Sequence, residues 1–109
     1  MTPIRSLKER FDRDPVSVKW GGIASDLLRM STMVRVKTFN PKTFQDVLTE
    51  TKLFTEWLAP VVSFEQQETI LFLQRDLSGI SLDSLDHKSI EATAHVWSDK
   101  VLAISGLTT

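Results

Sequence analysis

The chain contains no cysteine. That removes disulfide frameworks, zinc ribbons, thiol nucleophiles and Cys-ligated clusters from consideration, and it fits a reducing compartment. Glycine and proline are scarce, with four of each, and they fall where helices are expected to begin or end. No uncharged run approaches the ~20 residues needed to cross a bilayer. The first fifteen residues carry charges every two or three positions and no apolar stretch of signal-peptide length. The expected setting is cytoplasmic. Strand-type alternation over a useful length is also missing, as are internal repeats and low-complexity segments.

Several chemical signatures are missing as well. Gly21-Gly22 is not followed by Lys-Ser/Thr at P-loop spacing, and no G-x-S-x-G elbow occurs. Both histidines fall on one expected helix, so no triad of nucleophile, base and orienting group is legible. His87, Glu91, His95 and Asp99 recur every four residues, which places a possible metal-holding stripe on one helix face. Each four-residue step drifts about 40° around the helix, however, so the ends of the set diverge. Glu-x-x-His, which di-metal bundles require, is absent. A solvated face with i,i+4 pairs is the better reading. No catalytic residue, metal site or cofactor is expected.

What the chain does contain is helical periodicity. With 109 residues, 41% of them hydrophobic and 25% charged, it is sized and composed for one domain with a core of its own. Residues 1–14 form a basic N-terminal arm or a short extra helix, with Ile4, Leu7 and Phe11 spaced three and four apart. Residues 15–109 form the helical domain. Trp20, Ile23, Leu27, Met30 and Val34 define a helix over about 16–37, with Asp14 and Pro15 at its start and Gly21-Gly22 able to delay it. Asn40-Pro41 opens a second helix with the stripe Phe44, Val47, Thr51, Phe54 and Leu58, and Pro60 stops it.

Ser63 and Gln66 match a capping box. The helix behind them carries Gln66, Ile70, Leu73, Leu77 and Ile80, and ends near Gly79. Leu71 and Phe72 make its middle apolar nearly all round, which points to the most buried helix or to an interface. After a loop over 81–86, with Ser84 or Asp86 as the next cap, Ile90, Ala94, Trp97, Val101 and Ile104 define a last helix ending near Ser105. Gly106-Leu107 has the form of a Schellman ending. These stripes and short connections predict an all-α, antiparallel four-helix bundle.

Charge is unevenly spread. Residues 1–42 hold nine Lys/Arg against four acids, a net +5, and the remainder carries −6. Basic and acidic helices packed side by side account for this; an anionic partner for the basic half is the other reading. For nucleic acid the candidates are Arg29, Arg35 and Lys37 on the first long helix, though acids interrupt the basic blocks and the pI is near 6.1. The three tryptophans fall one to each of three helices on or near the seam, where core packing explains them. Trp57, next to a proline stop and off the strict stripe, is also an interface candidate together with Leu71 and Phe72.

Ala24–Leu27, Phe54–Trp57, Trp97–Leu102 and Ser105–Leu107 resemble the pattern of a family of short, uncharacterised helical proteins from cyanobacteria, over roughly residues 20–107. The resemblance implies a bacterial cytoplasmic protein and assigns no residue a role. The functional expectation is a non-enzymatic helical bundle acting through a protein partner or through self-association. A nucleic-acid-associated regulator using the basic half is the alternative.

Overall fold

The reason this chain folds as helices is the spacing of its large apolar residues, and the structure buries most of the stripes which that spacing defines. The computed structural model describes residues 3–36, 39–81 and 87–106. Among these the elements are α1 (Ile4–Arg13), α2 (Val16–Arg35), α3 (Pro41–Leu58), a single 3-10 turn (Ala59–Val61), α4 (Phe64–Ser78) and α5 (His87–Ser105). The class is all-α. Every stripe residue of α2 and α3 is buried, as are Ile70, Leu73 and Leu77 on α4 and Ile90, Ala94, Trp97 and Val101 on α5.

α2 is the hub, packing most extensively on α5 and next on α3. Small residues let α2 and α5 approach closely. Ala24, Ala94, Ser31 and Ser98 are all buried, and the two serine hydroxyls donate across the contact. Ser98 Oγ donates to the Ala24 carbonyl at 3.0 Å and Ser31 Oγ to the Glu91 carbonyl at 3.3 Å. Arg35 Nε meets Glu91 Oε1 at 3.3 Å on the rim of the same contact. α4 is tied to its neighbours by polar bonds. Gln74 Nε2 donates to Thr55 Oγ1 on α3 at 3.2 Å, and Trp97 Nε1 on α5 donates to Asp76 Oδ2 at 2.7 Å.

The helix ends are set by identifiable residues. Asn40 Oδ1 accepts from the Lys42 and Thr43 amides at 2.9 and 3.4 Å, and Pro41 stands where its missing N–H costs nothing. Asn40→Ala should therefore lower stability by about 1 kcal/mol, read as a shifted urea midpoint with an unchanged slope. Ser63 Oγ accepts from the Gln66 amide at 3.2 Å. Gly106 has φ of 74°, the left-handed backbone expected of a helix-ending glycine.

Other expected ends are corrected. Asp14 caps the C-terminus of α1, its amide donating to the Phe11 carbonyl, while Pro15 precedes α2 without a side-chain cap. Gly21-Gly22 delays nothing, because α2 starts at Val16 and runs straight through both. Gly79 does end α4 as expected, in a right-handed conformation, with its N–H on the Asp76 and Leu77 carbonyls. Lys37, Ser84, Asp86 and Leu107 lie outside the described residues.

Residues 4–13 are helical and bury Leu7 and Phe11 in the common core. The Phe11 ring stacks on Phe54 at 4.9 Å and meets Trp57 edge-on at 5.7 Å. α1 therefore lies against the α3 side of the fold.

Candidate functional site

Three groups of residues stand apart from the core packing, the first of them marked by the sequence. Trp57 is half-buried, flanked by Phe11 and Phe54, with Lys8 Nζ 5.7 Å above its ring. It serves as the floor on which α1 rests. Leu71 and Phe72 stand in the open, 65% and 45% exposed. α4 is therefore not the most buried helix; that position belongs to α2. The exposed pair is joined by Phe64, 85% exposed and seven residues before Leu71, hence on the same helix face. Beside Leu71 runs a shallow groove formed by Ala59, Pro60, Gln67 and Ile70. Arg75 lies over the Phe72 ring at 5.2 Å.

The basic candidates are dispersed. Arg29 reaches Asp26 Oδ1 at 3.4 Å and Arg35 reaches Glu91, so each guanidinium already faces a carboxylate. Six positions apart on α2, they point about 120° away from each other. The four-residue ladder on α5 is also divided. Glu91 turns to Arg35, His87 sets its ring edge against Phe39 at 5.5 Å, and His95 Nε2 lies 3.5 Å from Asp99 Oδ2 on an exposed surface. Among the described residues no group of three or more His, Asp or Glu is placed to hold a metal ion. No helix among them is long and apolar enough to cross a membrane.

The third group is a cleft of about 500 Å³ where α1, α2 and α3 meet. Its walls are Leu7 and Phe11 from α1, Val18 from α2, Phe54 from α3 and Leu102 from α5, and Gly21, Gly22 and Ser25 line it from α2. Two carboxyl groups, Asp26 and Glu50, stand in it, with Lys19, Arg10 and Asp14 also along its lining. Lys19 is buried, its Nζ 5.4 Å above the Phe11 ring. Asp26 is buried too, and its Oδ2 has no hydrogen-bond donor. Burial, and next the hydrogen bond and charge of Glu50, push the Asp26 carboxyl up from 3.8 to about 8, against a smaller lowering by Arg29. At neutral pH Asp26 therefore keeps its proton and can donate it to Glu50. Between two carboxylates that bond cannot exist.

Sequence motifs marked neither this pair nor Phe64. One signal was available. Asp26 directly precedes the stripe residue Leu27 and lies three after Ile23; Glu50 directly precedes Thr51 and lies three after Val47. Each acid is thus on the margin of an apolar seam, on neighbouring helices. No protein-family model, curated protein or solved structure matches the chain.

Proposed function

We propose that α2 to α5 form an antiparallel four-helix bundle with α1 laid against it, and that the protein acts without catalysis by pairing with a second copy of itself through α4. The observation that carries this reading is the symmetry of the exposed α4 surface. Leu71 and Phe72 are adjacent and open; Glu68 lies three residues before the first, and Arg75 three after the second. A two-fold axis crossing α4 between Leu71 and Phe72 sets Leu71 of one copy on Phe72 of the other. The same axis sets Glu68 against Arg75, twice. That is the pattern of an isologous contact, in which residue i meets j and j meets i. It has an apolar centre and a charged rim.

Nucleic-acid binding has less support, because Arg29 and Arg35 diverge around α2 and each faces a carboxylate. The cysteine-free composition supports a cytoplasmic setting. The likeness to short cyanobacterial helical proteins is compatible with this role.

Sedimentation over a concentration series tests the pairing. The wild type should pass from monomer to dimer. Leu71→Glu should weaken association at least ~10-fold by placing a charge at the apolar centre. Arg75→Glu should weaken it by setting acid against acid, and the exchanged double variant Glu68→Arg/Arg75→Glu should recover most of the loss. A wild type that stays monomeric, or a double variant no better than Arg75→Glu, overturns the proposal.

A further inference from the structure

The cleft between α1, α2 and α3 is remote in sequence from the α4 surface and supports an assignment independent of dimerisation. Its depth starts with two glycines inside a long helix. Gly21 and Gly22 each destabilise α2 relative to alanine. Packing does not demand the glycine at 22, where an added Cβ would meet only Phe54 Cε2, at an ordinary 3.8 Å. Both glycines line the cleft, and Leu7, Phe11, Phe54 and Leu102 give it apolar walls.

At the Asp26 end the trough is chemically incomplete. The Asp26 side chain is only 6% exposed, its Oδ2 accepts no hydrogen bond, and it lines the cleft beside Glu50. Arg29 reaches Oδ1 alone, at 3.4 Å and from an exposed position. Ionised, Asp26 would be a buried carboxylate lacking a donor at Oδ2 and repelled by the second carboxyl beside it, which is costly. What would complete the site is a cation that donates hydrogen bonds. Lys19 does not fill that role. It is two helical turns away, about 10 Å along α2, with its ammonium held over Phe11. Its charge bars a second cationic end and so sets the length of what the trough accepts.

We propose that this cleft binds a small organic monocation, a primary ammonium seated between Asp26 and Glu50 and borne on an apolar body about the size of one aromatic ring, lying against Leu7, Phe11 and Phe54. On binding near pH 7, Asp26 gives its proton to the buffer, and the resulting pair of carboxylates accepts N–H bonds from the ammonium. Among the described residues, the charged groups around Asp26 are Glu50 from α3, Arg29 and Lys19 from its own helix, Arg10 from α1 and Asp14 at its end; α5 contributes Leu102 to the cleft.

The probe is 2-phenylethylammonium, with 2-phenylethanol as the neutral control, titrated calorimetrically into the full chain in two buffers of different ionisation enthalpy. Saturable binding is expected with a Kd of about 0.1–1 mM, at least ~10-fold tighter than the alcohol. The apparent enthalpy should differ between buffers by the amount one released proton requires. Asp26→Asn should weaken binding at least ~10-fold and abolish the buffer dependence. Glu50→Gln, at a half-buried position, should weaken the amine more than the alcohol and carries the test if Asp26→Asn does not fold. Absence of saturation at about 20 mM, equal affinity for amine and alcohol, or release of no proton would each overturn the proposal.

Discussion

Between pH 4 and pH 8 the folded protein should lose stability progressively, and Asp26→Asn should remove most of that loss. The sign follows from the direction of the shift. Burial and Glu50 raise the Asp26 carboxyl from 3.8 to about 8 in the folded chain, whereas the unfolded chain holds it near the lower value. Between those limits the folded state retains a proton that the unfolded state has released, so stability falls as pH rises. Below about 4 both states are protonated and the penalty is absent; above about 8 it is complete and the curve flattens. Four pKa units correspond to roughly 5–6 kcal/mol as an upper bound. Relaxation of the half-buried Glu50 and water entry through the open cleft reduce this to about 2–4 kcal/mol. Asparagine keeps the shape, can donate to Glu50 and does not titrate. Urea unfolding of both proteins across this range measures the effect as the difference between two curves, which cancels carboxylates common to both. Parallel curves would show that Asp26 is not held neutral by its surroundings.

That pair also shows where the sequence stops speaking. The seams of α2 and α3 were legible because a 3-4 spacing of large apolar residues lines one face of a helix and scatters over both faces of a strand. Each of their stripe residues is buried. Asn40-Pro41 was legible because both residues have a specific role at a helix start. Asp26 and Glu50 were visible as acids on seam margins, but a margin faces water or a neighbour according to how the next helix lies. Here α1 and α3 close over it, and no local pattern encodes their approach. Phe11 gave the same ambiguity: its spacing with Leu7 suited a helix, yet only the Phe54 and Trp57 rings beneath make that helix part of the core.

α4 failed in the opposite direction. Leu71 and Phe72 are as hydrophobic as the residues that fill the core, so composition left burial and interface equally open. The structure decides the first, because Ile70, Leu73 and Leu77 already occupy the inward face. The bonds from Gln74 to Thr55 and from Trp97 to Asp76 fix α4 with Leu71 outward. Polar contacts of that kind, made between residues about twenty apart in the chain, have no signature in helical periodicity.

Leu27→Ala should destabilise the protein by about 2–5 kcal/mol, while Leu28→Ala, one residue on, should stay within about 1 kcal/mol. The two side chains are chemically identical and belong to the same helix, so propensity differs little between them. Their surroundings differ completely: Leu27 is 0% exposed and Leu28 is 48% exposed. Leu27 sits in the middle of α2, the helix that both α3 and α5 pack against, and truncation there leaves a cavity that three helices would have to move to close. The ties from Ser98 and Ser31 to the backbones across the α2–α5 contact resist that movement, so the cost should fall in the upper half of its range. Against a total stability of about 5–15 kcal/mol, such a loss would lower the midpoint of thermal unfolding by roughly 10–30 °C. Thermal denaturation of the two variants side by side checks the burial assignment directly. Equal losses would mean that α2 is rotated about its axis from the position described, and the placement of Asp26 in the cleft would fail with it.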